Sequence, residues 1–164
     1  KSVLELAGNQ GVLSLALSDI SGINSVVCTD YDEVAVDAFV KLQKTTDVGV
    51  ACFDFIGEAW QSLSNERYER LKSDVVIALA VTHHLILTQN YSPDVIFKAL
   101  SGYTNKYLIV EFMPLGLWAG GDVLPILPDW YSENWFVNQM LKHFELVDRI
   151  ELERNRIAFV VKKI

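Results

Sequence analysis

Apolar positions along this chain fall into two alternating kinds of run. Blocks of consecutive apolar residues, as in strands buried on both faces, alternate with stretches where apolar residues recur every three or four positions, as on one side of a helix. The strand-like blocks are 2–7, 25–30, 48–53, 74–81, 106–113, 144–152 and 156–162. The helix-like stretches are 12–19, with Leu13, Ala16 and Leu17 on one face, and 33–44, with Val36, Phe39, Val40 and Gln43 at helical spacing. A short polar helix or turn over 66–72 follows, then a helix over 94–101 that Pro93 opens and Ser92 caps, and one over 133–143 capped by Ser132. The block 74–81 is the most apolar and reads as a central strand. Only Glu153-Arg154-Asn155 separates the last two blocks, so they pair antiparallel, because a parallel return needs a dozen or more residues. The pattern predicts an α/β domain with a seven-stranded, mostly parallel sheet, helices on both faces and a C-terminal antiparallel hairpin.

Composition narrows the functions open to such a domain. At 164 residues and 51% hydrophobic content the chain is long enough for one domain, 1–164, with a substantial core. A net charge of −7 and the lack of any basic run argue against a nucleic-acid binder, which needs clustered Lys and Arg to displace counterions. Cys28 and Cys52 stand in separate apolar strands, which predicts buried core thiols in a reducing compartment and neither a disulfide framework nor a metal site. No apolar run approaches the roughly 20 residues that span a bilayer, and no charged leader precedes one, so the expectation is a soluble, cytoplasmic protein with no membrane partner. Lys1-Ser2 runs directly into the first strand, which reads as the C-terminal part of a longer chain.

The candidate chemistry starts at the first turn. Residues 3–11 carry a strand into Ala7-Gly8-Asn9-Gln10-Gly11, and the second strand closes on Asp30. Strand, small-residue turn, helix and a second strand ending in a carboxylate make the layout of a nucleotide-binding βαβ unit. Gly8 and Gly11 lack a Cβ and Asn9 tolerates positive φ, so the backbone can turn sharply and approach a ligand. Asp30 can accept hydrogen bonds from both hydroxyls of a ribose. The alternative is a glycine-containing turn that holds nothing.

With the hairpin included, the chain resembles, over nearly its whole length, the class I S-adenosylmethionine (SAM)-dependent methyltransferases and their Rossmann-like domain. That family carries Asp/Glu-x-Gly-x-Gly-x-Gly on its first strand; Glu5 and Gly11 match, while Ala7 and Asn9 stand where glycine is commoner. The resemblance implies that Glu5, Ala7, Gly8, Asn9 and Gly11 form the cofactor loop, that Asp30 binds the ribose with Tyr31 along the adenine, and that Asp54 and Phe55 contact the base. It also implies that Ala80 to His84 face the methyl donor and the acceptor. The run Ala78-Leu79-Ala80-Val81-Thr82-His83-His84-Leu85 is loosely similar to nodulation-type methyltransferases.

His83 or His84, with an ordinary pKa near 6.5, can take a proton from a hydroxyl as the methyl group arrives; the alternative is one histidine capping a helix start while the other packs. Asp54 reads equally as an N-cap, Phe55 as core and Glu111 as a structural hydrogen-bond partner. The loop 114–131, rich in Trp, Pro and Gly, is too long and apolar for a simple connection. It either closes over a substrate or covers a partner surface, such as an upstream region. The expected function is methyl transfer from SAM to a small-molecule acceptor, at oxygen, with no metal. A non-catalytic interaction module and a nicotinamide-dependent oxidoreductase are the alternatives, and the terminal hairpin and the expected lack of a catalytic Tyr-x-x-x-Lys pattern count against the second.

Overall fold

The computed structural model describes residues 1–43, 47–57 and 66–164; Lys44, the expected end of the second helix, lies outside them. The described elements run β1 (Ser2–Leu6), α1 (Val12–Ser18), β2 (Ser25–Asp30), α2 (Glu33–Leu42), β3 (Gly49–Cys52), α3 (Glu66–Leu71), β4 (Ser73–Ala78) and α4 (Thr82–Leu87). They continue as α5 (Pro93–Tyr103), β5 (Thr104–Phe112), α6 (Glu133–Met140), β6 (Phe144–Glu153) and β7 (Arg156–Lys163). One seven-stranded sheet results, ordered β3-β2-β1-β4-β5-β7-β6. The first five strands are parallel, and β7 enters antiparallel between β5 and β6.

Side-chain alternation on the sheet divides the core in two. Leu4, Leu6, Val76, Leu108, Val110 and Phe159 face the larger cluster with Phe97 of α5 and Phe136 of α6. Val3, Val26, Cys28 and Ile77 face the smaller one with Phe39 of α2. Helix starts follow their caps: Asp32 accepts the Val34 N–H at 2.9 Å, Ser92 accepts the Val95 N–H at 3.4 Å and Ser132 accepts the Trp135 N–H at 3.3 Å.

Two expectations fail. The fourth strand stops at Ala78 instead of 81, and a helix that apolar periodicity had not marked, α4, begins at Thr82. Cys52 is exposed and only Cys28 is buried, because β3 is an edge strand with β2 as its sole neighbour; the Cys52 thiol sits 3.7 Å from the Tyr31 carbonyl.

Strand order reverses between β1 and β4, so the helices that leave their carboxyl ends diverge and open a crevice there.

Candidate functional site

The wall of that crevice on the β1 side is a turn of unusual backbone. Ala7, Asn9 and Gly11 all have positive φ, at 55°, 51° and 68°. The turn is closed by the Gly11 N–H on the Gly8 carbonyl at 2.9 Å, and the Gly8 N–H ties it to Thr29 of β2 at 2.9 Å. Both glycines are needed for packing against the protein itself. A Cβ on Gly8 would lie 2.6 Å from the Cys28 sulfur and 2.8 Å from the Glu5 carboxyl carbon, and one on Gly11 would lie 2.5 Å from the Phe39 ring.

The crevice holds a cleft of about 540 Å³, within the range of small-molecule sites. Ala7, Asn9, Asp30, Tyr31, Asp54 and Phe55 line it on the β1–β3 side, and Ala80 and His84 line it on the β4 side. Glu5, Gly8, Gly11 and His83 do not. Asp30 is buried, and each of its carboxylate oxygens takes one backbone N–H: Asn9 at 2.8 Å and Asp32 at 2.9 Å. Each oxygen keeps a further lone pair free for another donor. Tyr31 is exposed at the rim, Phe55 is buried in the wall, and Phe53 stands beside them. Asp54 accepts the Ile56 N–H at 2.8 Å and so shapes the wall it belongs to.

Glu5 points beneath α1. It is buried, it accepts a hydrogen bond from the Ser14 hydroxyl, and it neighbours Cys28. Burial raises its pKa against the lowering pull of Ser14, and burial with the adjacent Glu5 pushes the Cys28 thiol up to about 12. This acid braces the turn from below.

The opposite wall is held from a distance. Ala80 has φ 51°, a conformation that costs an alanine roughly 1–2 kcal/mol, and its N–H donates to Glu111 Oε2 at 2.8 Å. Glu111, fully buried at the end of β5, receives Arg156 through Nε at 2.7 Å and a second guanidinium nitrogen at 3.1 Å, and its carbonyl accepts the Thr82 hydroxyl at 2.6 Å. This network bends the chain out of β4 and starts α4.

His83 and His84 therefore sit on a helix, their rings 4.2 Å apart and inclined by 44°. His84 is exposed to the cleft. His83 is buried, its Nδ1 has no partner among the described residues, and burial, with smaller effects from His84 and Arg156, lowers its pKa to about 4. Sequence reasoning missed the cleft residues Asp32, Phe53, Leu79, Leu85, Thr88 and Gln89 and the bracing Arg156. Only the sheet pairing brings Arg156 to Glu111.

The loop 114–131 contributes no residue to the cleft wall. Asn155 pins its start to the β6–β7 turn, accepting the Leu115 N–H at 2.6 Å and donating to the Gly116 carbonyl at 3.3 Å, while the Arg154 guanidinium lies 4.9 Å over Trp118. Tyr68 and Lys72 have the Tyr-x-x-x-Lys spacing of nicotinamide-dependent dehydrogenases, yet neither lines the cleft, and Tyr68 packs on Tyr103 at 4.6 Å. Among the described residues no three His, Cys, Asp or Glu converge as a metal site, and no helix is long and apolar enough to cross a membrane.

No protein-family model matches the sequence, and no curated protein does. Solved structures are similar. A protein of Pyrococcus horikoshii OT3 superposes with TM-score 0.75 at 17% identity, over 99% of this chain and 82% of that one. A SAM-dependent methyltransferase from Aquifex aeolicus gives 0.69 at 17% identity, over 99% and 82%. The fibrillarin pre-rRNA processing protein of Methanococcus jannaschii gives 0.67 at 14% identity, over 99% and 66%. The chain has the Rossmann-like fold that SAM-dependent methyltransferases adopt.

Proposed function

We propose that this domain binds S-adenosyl-L-methionine in the crevice between β1 and β4 and transfers its methyl group to a small-molecule acceptor, at oxygen. The observation that carries the reading is the pairing of Asp30 and the positive-φ turn on one wall with His84 on the other. The residues suit the cofactor's chemistry. Asp30 keeps acceptor capacity on both oxygens for ribose hydroxyls, and Tyr31, Phe53, Phe55 and Leu79 offer flat and apolar surface to a planar base. Ala7 and Asn9 line the cleft next to that position.

SAM, when bound, supplies a methyl group already activated on a positively charged sulfur. The chain's own work is to orient the acceptor, since alignment and proximity account for much of such a barrier, and to move one proton. His84 takes the acceptor hydroxyl's proton on an unprotonated ring nitrogen. His83, held neutral by burial, packs behind it without adding a charge that would oppose protonation. Glu5, Gly8 and Gly11 act by shaping the turn.

A small acceptor is favoured over RNA, despite the likeness to fibrillarin, because 14 Lys and Arg face 21 Asp and Glu and leave the chain at −7. A surface of that balance opposes a phosphate backbone. Titration calorimetry with SAM, S-adenosylhomocysteine and NADH tests the cofactor directly. SAM and S-adenosylhomocysteine are expected to bind and NADH is not. Binding of NADH alone would sink the reading, and silence from all three would favour a non-catalytic module.

A further inference from the structure

A second pocket opens on the other side of α4 from the cleft. It occupies about 330 Å³ between α4 and the starts of α5 and α6, and is walled by Ile86, Tyr91, Pro93, Trp130 and Trp135. Helix α4 gives His84 and Leu85 to the cleft and Ile86 to this pocket, so the two spaces are distinct. Its size sits at the low end of ligand sites, roughly 300–1,000 Å³, which suits a small molecule.

Three of the five walls are aromatic. Trp130 and Trp135 contact each other with ring centroids 4.7 Å apart and inclined by 53°, so neither ring lies flat over the other. Trp130 leaves 48% of its surface exposed, and that open surface is what a ligand can cover. The face of an aromatic ring is the negative end of its quadrupole and attracts cations, Trp most strongly.

The charges around the pocket act in the same direction. No Lys, Arg or His lines it. Asp94, beside the wall residue Pro93, pairs with His143 at 3.1 Å, and Glu133 pairs with Arg149 at 2.6 Å. Asp129, directly before Trp130 in the chain, is exposed and has no side-chain partner among the described residues. A cation against the two tryptophans therefore gains both π faces and the field of a free carboxylate.

The walls also select the kind of cation. A primary ammonium group brings N–H donors that Ile86, Pro93 and the rings cannot satisfy, and leaving them without water is costly. A quaternary ammonium has no N–H to satisfy and presents only methyl groups to the rings. Asn90, at the pocket edge with a left-handed φ of 58°, offers an amide donor and acceptor to a polar tail.

We propose that this pocket binds a small quaternary ammonium compound, with its charged head against Trp130 and Trp135 and Asp129 as the nearby counter-charge. The site is separate from the cleft and does not depend on the methyltransferase reading.

The test is calorimetry and saturation-transfer NMR on the whole chain with choline as the probe, beside its uncharged carbon isostere dimethylbutanol. The two have nearly the same shape, so any difference in affinity reports the charge. Choline is expected to bind at least about fivefold more tightly than the isostere, the scale of one desolvated cation–π contact. Trp130→Leu, which keeps apolar bulk and loses the π face, should weaken choline by a similar factor, while Trp130→Phe retains most of the affinity. Asp129→Asn should weaken it about twofold, as for an exposed charge pair. Tyr31→Ala, at the rim of the other cleft, should leave choline binding unchanged. Equal binding of choline and dimethylbutanol, wild-type affinity in both Trp130→Leu and Asp129→Asn, or loss of choline binding in Tyr31→Ala would each overturn the proposal.

Discussion

Asp30 and His83 are both buried beside the cleft, and the protein treats them in opposite ways. Asp30 is given two backbone donors and keeps room for more. Replacing it with Ala should weaken S-adenosylhomocysteine binding by at least ~1–2 kcal/mol through lost charge-assisted hydrogen bonds, read by calorimetry; an unchanged Kd would show that the ribose lies elsewhere. His83 finds no partner for Nδ1 among the described residues and is held neutral. Its pKa falls from 6.5 to about 4, so the unfolded chain binds a proton that the folded one refuses. At about 1.36 kcal/mol per unit, stability should be fully present above pH 6.5 and drop by up to roughly 3 kcal/mol as pH falls from 6.5 towards 4. Urea unfolding of wild type and His83→Gln at pH 7.5 and 4.5 checks this. The variant should lose the part of the acid sensitivity that belongs to this histidine, and parallel losses in both proteins would contradict it.

The elements show what the chain's own pattern can and cannot convey. All the strands and every helix but α4 were legible because strands buried on both faces read as continuous apolar runs and helices repeat apolar positions every three or four residues, and the antiparallel hairpin was legible because a turn of three residues allows nothing else. The end of β4 was not: Ile77 to Val81 is apolar throughout, and the bend at Ala80 is fixed by Glu111, 31 residues away. The same holds for Glu5, whose place under α1 depends on Ser14 and Cys28. Ala7→Gly relieves a left-handed alanine and should raise stability by ~0.5–1 kcal/mol after the entropy of the unfolded glycine is set against it, measured by chemical denaturation; a loss of stability would mean that the Ala7 methyl packs usefully. Glu111→Ala removes a buried acid that satisfies both Arg156 and the Ala80 N–H. It should cost roughly 3–5 kcal/mol and, because Ala80 lines the cleft, weaken S-adenosylhomocysteine binding as well. Weaker folding with unchanged affinity would show that the turn at Ala80 survives without its brace.

At the scale of the molecule, a seven-stranded sheet with its crevice at one end makes stability and ligand occupancy one linked quantity. The cleft walls belong to opposite sides of the strand reversal: β1, β2 and β3 carry Ala7, Asp30 and Asp54, while β4 and α4 carry Ala80 and His84. A ligand that touches both sides binds only when the sheet is intact, so it stabilises the native state by mass action. S-adenosylhomocysteine at one hundred times its Kd should add about 2.7 kcal/mol, and at roughly 2–4 °C per kcal/mol for a chain of this size the Tm should rise by roughly 5–10 °C. The rise should grow with the logarithm of ligand concentration and shrink in Asp30→Ala, whereas NADH at the same concentration should leave Tm in place. A thermal scan with millimolar S-adenosylhomocysteine that shows no shift would separate the fold from the chemistry proposed for it, leaving a crevice of the right shape with nothing bound across it.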